Sequence, residues 1–160
     1  DWTDRFTSDE LARWGIANSL HPISMAHGLI GLPVSSQSIQ YGGLPWHPTG
    51  SIFVGSGVSQ QGVPFSYHAD WNSQSRWFVE VYTTESSYRL CPLEKLYHKG
   101  SPLEEWEELS VMTFDEGIKV GIVEQLAALF LGNHKITIPL ANMKIASELT
   151  SYAEEVFGYD

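Results

Sequence analysis

The sequence predicts an α+β domain, a mostly antiparallel open sheet with helices packed on one face and the other face available for oligomerisation. Three observations predict it. The apolar period is helical near both ends of the chain and changes to two from Val34 through the middle. The strand-like runs are joined by links too short for the dozen-residue crossover that parallel neighbours need. Helices, then strands, then helices follow one another in blocks, the order that segregates helices to one side of a sheet.

Thr7 or Ser8 opens the first helix, through Trp14, because a hydroxyl there accepts an otherwise orphan amide of the first turn. Asn18 is placed to cap a second helix, in which Pro22 is tolerated within the first turn. Leu20, Ile23, His27 and Ile30 recur at spacings of three and four and form its buried stripe, and Gly31 and Pro33 end it. The runs "SIQYGG", "SIFVGSGVS", "VPFSYHADW", "SRWFVEVYT" and "SYRLCPLEKL" are rich in β-branched and aromatic residues and read as strands. Phe65, Tyr67, Ala69 and Trp71 share one face, with Ser66, His68 and Asp70 on the other. Trp77, Val79 and Val81 are expected to continue the meander across the short "NSQ" link. The acidic "PLEEWEEL" reads as a solvated loop or helix face. Asp115 then caps a helix striped by Ile118, Ile122, Leu126 and Leu129 and ending at Gly132. A last helix, from about Ala141 to Val156, follows Pro139 and buries Met143, Ile145 and Leu149.

The 160 residues suit one domain spanning 1–160, able to bury about two-thirds of its unfolded surface. No apolar run approaches the ~18 residues a bilayer span requires, and the N-terminus has no signal-peptide pattern, so no membrane partner and a cytoplasmic location are expected. Nineteen acidic against nine basic residues repel a phosphate backbone, which argues against nucleic acid as a partner. The single cysteine, Cys91, has no internal partner for a disulfide and reads as a quiet strand-end residue.

The chemistry-bearing residues divide unevenly. No G-x-G-x-x-G, Walker loop, H-E-x-x-H, nucleophile elbow or EF-hand loop occurs. His27 lies on the buried stripe and reads as a packing histidine. His47, in the Pro/Gly-rich "LPWHPTG", is expected in an exposed loop beside Trp46, whose indole can stack on a sugar. His68 and Asp70 point to solvent, Arg89 reads as a sheet-face ion pair, and no histidine spacing supports a zinc site. His21 remains the residue open to a chemical role. Arg5 and Trp14 precede it closely, one a clamp for hydroxyls or phosphate and the other a platform for a pyranose. The opening "DWTDRF" has no strand or cap before it and reads as the edge of a piece from a longer chain.

The string "LHPISMAHGLIGLP", the antiparallel meander and the terminal helices "EGIKVGIVEQLAALF" and "ASELTSYAEEVFGYD" resemble, as an order of elements over nearly the whole chain, the C-terminal domain of the Gfo/Idh/MocA oxidoreductases. The resemblance implies a substrate and oligomerisation domain of a sugar or cyclitol oxidoreductase, nucleotide sugars being a further substrate class. NAD or NADP would be held by an N-terminal Rossmann domain absent from this chain, and the chain alone would bind no cofactor, be inactive, and form a homo-oligomer through its sheet face. His21 matches the family's acid/base histidine; Asn18, Trp14 and Arg5 are expected as substrate contacts from their own chemistry and their nearness to it in the sequence, not from the family. The carboxylates many members carry four residues before and three after that histidine are replaced here by Ala17 and Ser24. A different class stays open beside it, a non-catalytic carbohydrate-binding or assembly module.

Overall fold

The computed structural model describes residues 2–110, 121–131 and 143–159. In chain order a 3-10 turn at Trp2–Arg5 leads to α1 (Ser8–Ala12), α2 (Trp14–Ile30), β1 (Pro33–Tyr41), β2 (Ile52–Ser59), β3 (Pro64–Asp70), β4 (Val79–Tyr82), β5 (Ser87–Leu90), β6 (Leu96–Lys99), β7 (Glu107–Leu109), α3 (Ile122–Leu131) and α4 (Met143–Phe157). The fold is α+β, with every strand pairing antiparallel. The chain divides into two compact units, Asp1–Gln74 with Met143–Asp160, and Ser75–Asn142.

In the first unit Thr7 caps α1 as expected. Its hydroxyl accepts the Glu10 amide at 3.3 Å, and the Glu10 carboxylate accepts the Thr7 amide at 2.8 Å, so two orphan donors are satisfied reciprocally. The Asn18 cap is corrected. The Arg13 carbonyl accepts the amides of both Ile16 and Ala17 at 3.0 Å, so α2 already runs from Trp14, and Asn18 and Pro22 lie inside it. Pro22 brings no N–H for the Asn18 carbonyl, a cost of about 3 kcal/mol in a helix interior. Ile16, Leu20 and Ile23, packed on the core on both sides of the proline, offset it. Gly31, at φ +83°, ends the helix in a conformation that side chains rarely adopt, and its amide reaches the His27 carbonyl at 2.9 Å.

Strands β1, β2 and β3 form a three-stranded sheet with β2 central. Alternation along β2 turns Phe53 and Ser59 inward and Val54, Ser56 and Val58 outward. Helix α4 packs on α2, β1 and β2. Phe53, Tyr152, Ala153, Val156 and Phe157 form the buried centre, with Phe65, Tyr67, Ala69 and Trp71 packed around it, which is the β3 face expected from the sequence. Leu149 is buried on α4 as expected, whereas Met143 is 80% exposed because it opens the helix before α4 reaches the sheet.

The expected hairpin from β3 into the Trp77–Val81 strand does not form. The Asp70 carboxylate accepts the Asn72 amide at 2.9 Å, an Asx turn that takes the chain out of the ladder. Trp77 is exposed before β4, and β4 begins a second, four-stranded sheet in the order β4-β5-β6-β7. There Arg89 pairs with Glu80, as expected, and stacks over Trp106 at 4.4 Å. Within "PLEEWEEL", Glu107–Leu109 is the edge strand β7 rather than loop or helix. It pairs with β6, and Lys95, just before β6, donates to the Glu108 carboxylate at 2.9 Å. On α3, Ile122 and Leu126 stay exposed and Ala128 is buried. Asp115, Ile118, Gly132, Pro139 and Ala141 lie outside the described residues.

Candidate functional site

Helix periodicity sorts α2 into two sides. Gly15, Ser19, Ile23 and His27 follow one another at intervals of four and face the core. Trp14, Asn18 and His21, at intervals of four and three, form a stripe on the opposite side. His21 is exposed there, one turn beyond a half-buried Asn18, and its carbonyl accepts the Ser24 hydroxyl at 2.9 Å. His21 therefore sits in mid-helix and not in a first turn, but it faces outward as a group that meets a ligand must.

Trp14 anchors that stripe in an aromatic cluster. Phe6 lies 4.8 Å and Trp2 5.1 Å from its ring, and Trp46 meets both indoles edge-on. Trp46 in turn stacks on Trp71 at 5.7 Å and 16°. Edge-to-face contacts of this kind hold rings in fixed orientation and add ~1 kcal/mol each beyond area burial. Trp2 and Phe6 keep 45% and 40% of their surface exposed, so the cluster retains an aromatic surface open to solvent. Arg5 closes the 3-10 turn that carries Trp2; it is exposed, and no hydrogen bond or ion pair joins it to Asn18 or His21 among the described residues.

His47 is the residue that sequence reasoning placed wrongly. It is 4% exposed, wedged between Trp71 at 4.5 Å and Phe53 at 5.7 Å. Its Nδ1 lies 3.0 Å from the Gly50 carbonyl and its Nε2 2.6 Å from the Tyr159 hydroxyl, which accepts the Gly15 amide at 2.8 Å. One tautomer satisfies all four groups: Nδ1–H donates to Gly50, and Nε2 accepts from Tyr159. Burial lowers the His47 pKa and pushes the Tyr159 phenol up to about 12, so the pair is a neutral imidazole and a protonated phenol. Only the tertiary fold joins residues so far apart in the chain; the local "LPWHPTG" pattern carries no sign of the partner.

His27 is the packing histidine expected, 7% exposed, with Nδ1 at 2.9 Å from the Gly31 carbonyl and its ring edge-on to Phe65 and Tyr152. Burial lowers its pKa. Beside it the Tyr67 and Tyr152 hydroxyls are buried without a hydrogen-bond partner among the described residues. Burial pushes Tyr67 up to about 12, a rise that Ser38 reduces from a position short of hydrogen-bond geometry, and raises Tyr152 as well. A cavity of about 520 Å³ lies between β1 and α4, lined by residues that include Ser35, Gln60, Ser151 and Glu155, and by none of Arg5, Trp14, Asn18 or His21. No three His, Cys, Asp or Glu side chains converge into a metal-holding group among the described residues. No helix among them is long and apolar enough to cross a membrane.

No protein-family model, curated protein or solved structure matches the chain.

Proposed function

We propose that the chain is the substrate-binding and oligomerisation domain of an NAD(P)-dependent oxidoreductase acting on a CH–OH group of a sugar, cyclitol or nucleotide sugar. The observation that carries this reading is the outward stripe of α2. Trp14, Asn18 and His21 stand on one side of a helix whose opposite side is anchored in the core. The imidazole of His21 is a side chain of the kind that removes a hydroxyl proton. Asn18, one turn before it and half-buried, can hold a neighbouring hydroxyl through its side-chain amide. Trp14 and the aromatic surface beside it suit the apolar face of a sugar ring, and Arg5 suits a hydroxyl or phosphate at the margin.

A nicotinamide cofactor would supply hydride transfer. The described residues do not fit a dinucleotide. Both sheets are antiparallel, and among the described residues no strand leads through a glycine-rich turn into a helix N-terminus to cradle a pyrophosphate. In this proposal the cofactor belongs to a separate Rossmann domain. The test is the native reading frame and its product. A strand–G-x-G-x-x-G–helix unit upstream, together with NAD(P)-dependent turnover of a sugar or cyclitol by the full-length protein and none by this chain alone, supports the reading. A full-length protein with no such unit and no such turnover sinks it.

A second reading, a non-catalytic carbohydrate-binding or assembly module, is favoured by the outer face of the β1–β3 sheet. Ile39 and Tyr41 there are 68% and 72% exposed, and Val54 and Val58 beside them are exposed as well. The same face serves self-association in both readings, so turnover by the full-length protein separates them and oligomeric state does not.

A further inference from the structure

The chain of hydrogen bonds from Gly15 through Tyr159 and His47 to Gly50 joins the start of α2, the end of the chain after α4 and the loop before β2. Each link has one direction. The Gly15 amide can only donate, so the Tyr159 oxygen accepts from it and sends its own proton to His47 Nε2. We propose that His47 is a proton-operated latch: charging its ring releases the Tyr159 side chain from His47 and from the start of α2.

A proton added at Nε2 faces the hydroxyl that had been its donor. The phenol proton then loses its acceptor in a buried position, and two hydrogens compete for one line of approach. Among the described residues the surroundings offer the new charge no carboxylate partner, only the Gly50 carbonyl at Nδ1 and the aromatic rings around it. Trp46 on the same loop, Phe53 on β2, Trp71 after β3 and Tyr159 after α4 face the ring, and none carries a negative charge. The nearest charge joined to this network is Arg13, a cation 4.7 Å over the Tyr159 ring, whose own partner is Glu154 on α4. Asp70, beside Trp71, directs its carboxylate to the Asn72 amide. Loss of the contact therefore relieves the opposition of the two protons. The Tyr159 amide stays on the Glu154 carbonyl at 2.9 Å across Gly158, at φ +66°, so what leaves the start of α2 is the Tyr159 side chain, while Val156 and Phe157 stay in the core.

The test is a pH titration of this chain by nitrogen-15 NMR from pH 8 to pH 5, with helix content followed by circular dichroism. The His47 ring nitrogens, the Gly15 amide and the Trp71 indole are expected to move on one midpoint below 6.5 while helix content is unchanged. Hydrogen exchange at the Gly15 amide, corrected for its intrinsic pH dependence, rises at least tenfold across it. In Tyr159→Phe the His47 midpoint moves toward 6.5, because the neutral ring has lost its donor; in His47→Gln the Gly15 transition disappears. A Gly15 amide unmoved while His47 titrates, one that moves only as helix content collapses, or a transition that persists in His47→Gln overturns the latch. If His47→Gln does not fold, the coincidence or separation of the wild-type midpoints decides alone.

Discussion

Two histidines six residues apart on α2 face opposite ways, and their neighbours decide what each can do. His27 has its ring edge on two aromatics and its Nδ1 on the carbonyl of the helix-ending glycine. That role was legible in the sequence, since its spacing to Leu20 and Ile23 already put it on the apolar stripe. His47 was not legible, because its partners come from Gly15 and Tyr159, and no local pattern encodes a contact across 112 residues. At the same scale Gly15 shows how tightly the core side of α2 is packed. A Cβ there would run into the Phe157 ring, which is almost fully buried. Gly15→Ala would raise the helix propensity of an isolated segment, but in the fold it is expected to destabilise by about 1–3 kcal/mol, measured by urea unfolding. A neutral or stabilising result would mean that Phe157 yields to the added methyl.

Among the elements, existence and type were more legible than partnership. The three strands of the first sheet and the capped α1 follow from period and hydroxyl caps. The start of α2 was misread because Pro22 and Asn18 look like a helix N-terminus, whereas the carbonyl of Arg13 had already begun the ladder. The break between β3 and β4 depends on one Asp70 carboxylate closing a turn, a choice the spacing of apolar residues does not contain. For the sheet itself, Ile39, Val54 and His68 are cross-strand partners on the open face of β1, β2 and β3. Val54→Glu places a charge at the centre of that row. Light scattering is expected to show self-association of the wild-type chain at high concentration and its loss in Val54→Glu, with the thermal midpoint little changed. A wild-type chain that stays monomeric at high concentration contradicts the face as an oligomerisation surface.

Across the whole molecule the α+β class was evident from the blocks of period, while the division into two compact units was not, because no linker composition marks it. Its stability should depend on pH in a direction set by the two buried histidines. Burial depresses both the His27 and His47 pKa values below the ordinary 6.5. The unfolded chain therefore binds protons first as pH falls, and stability contributed by the neutral rings is full above about 6.5 and lost below it toward the folded-state values. Urea midpoints between pH 8 and pH 5 are expected to fall below pH 6.5, with a smaller fall in His27→Gln; a flat profile would show that the rings titrate alike in both states.

The outward side of α2, with His21 on it, carries the proposed proton transfer. In the full-length protein, His21→Ala removes an exposed ring, so its unfolding free energy should stay within about 0.5 kcal/mol of wild type. If His21 takes the substrate proton, kcat falls at least tenfold. A variant of unchanged stability and unchanged kcat would contradict a catalytic His21 and leave the helix stripe as surface.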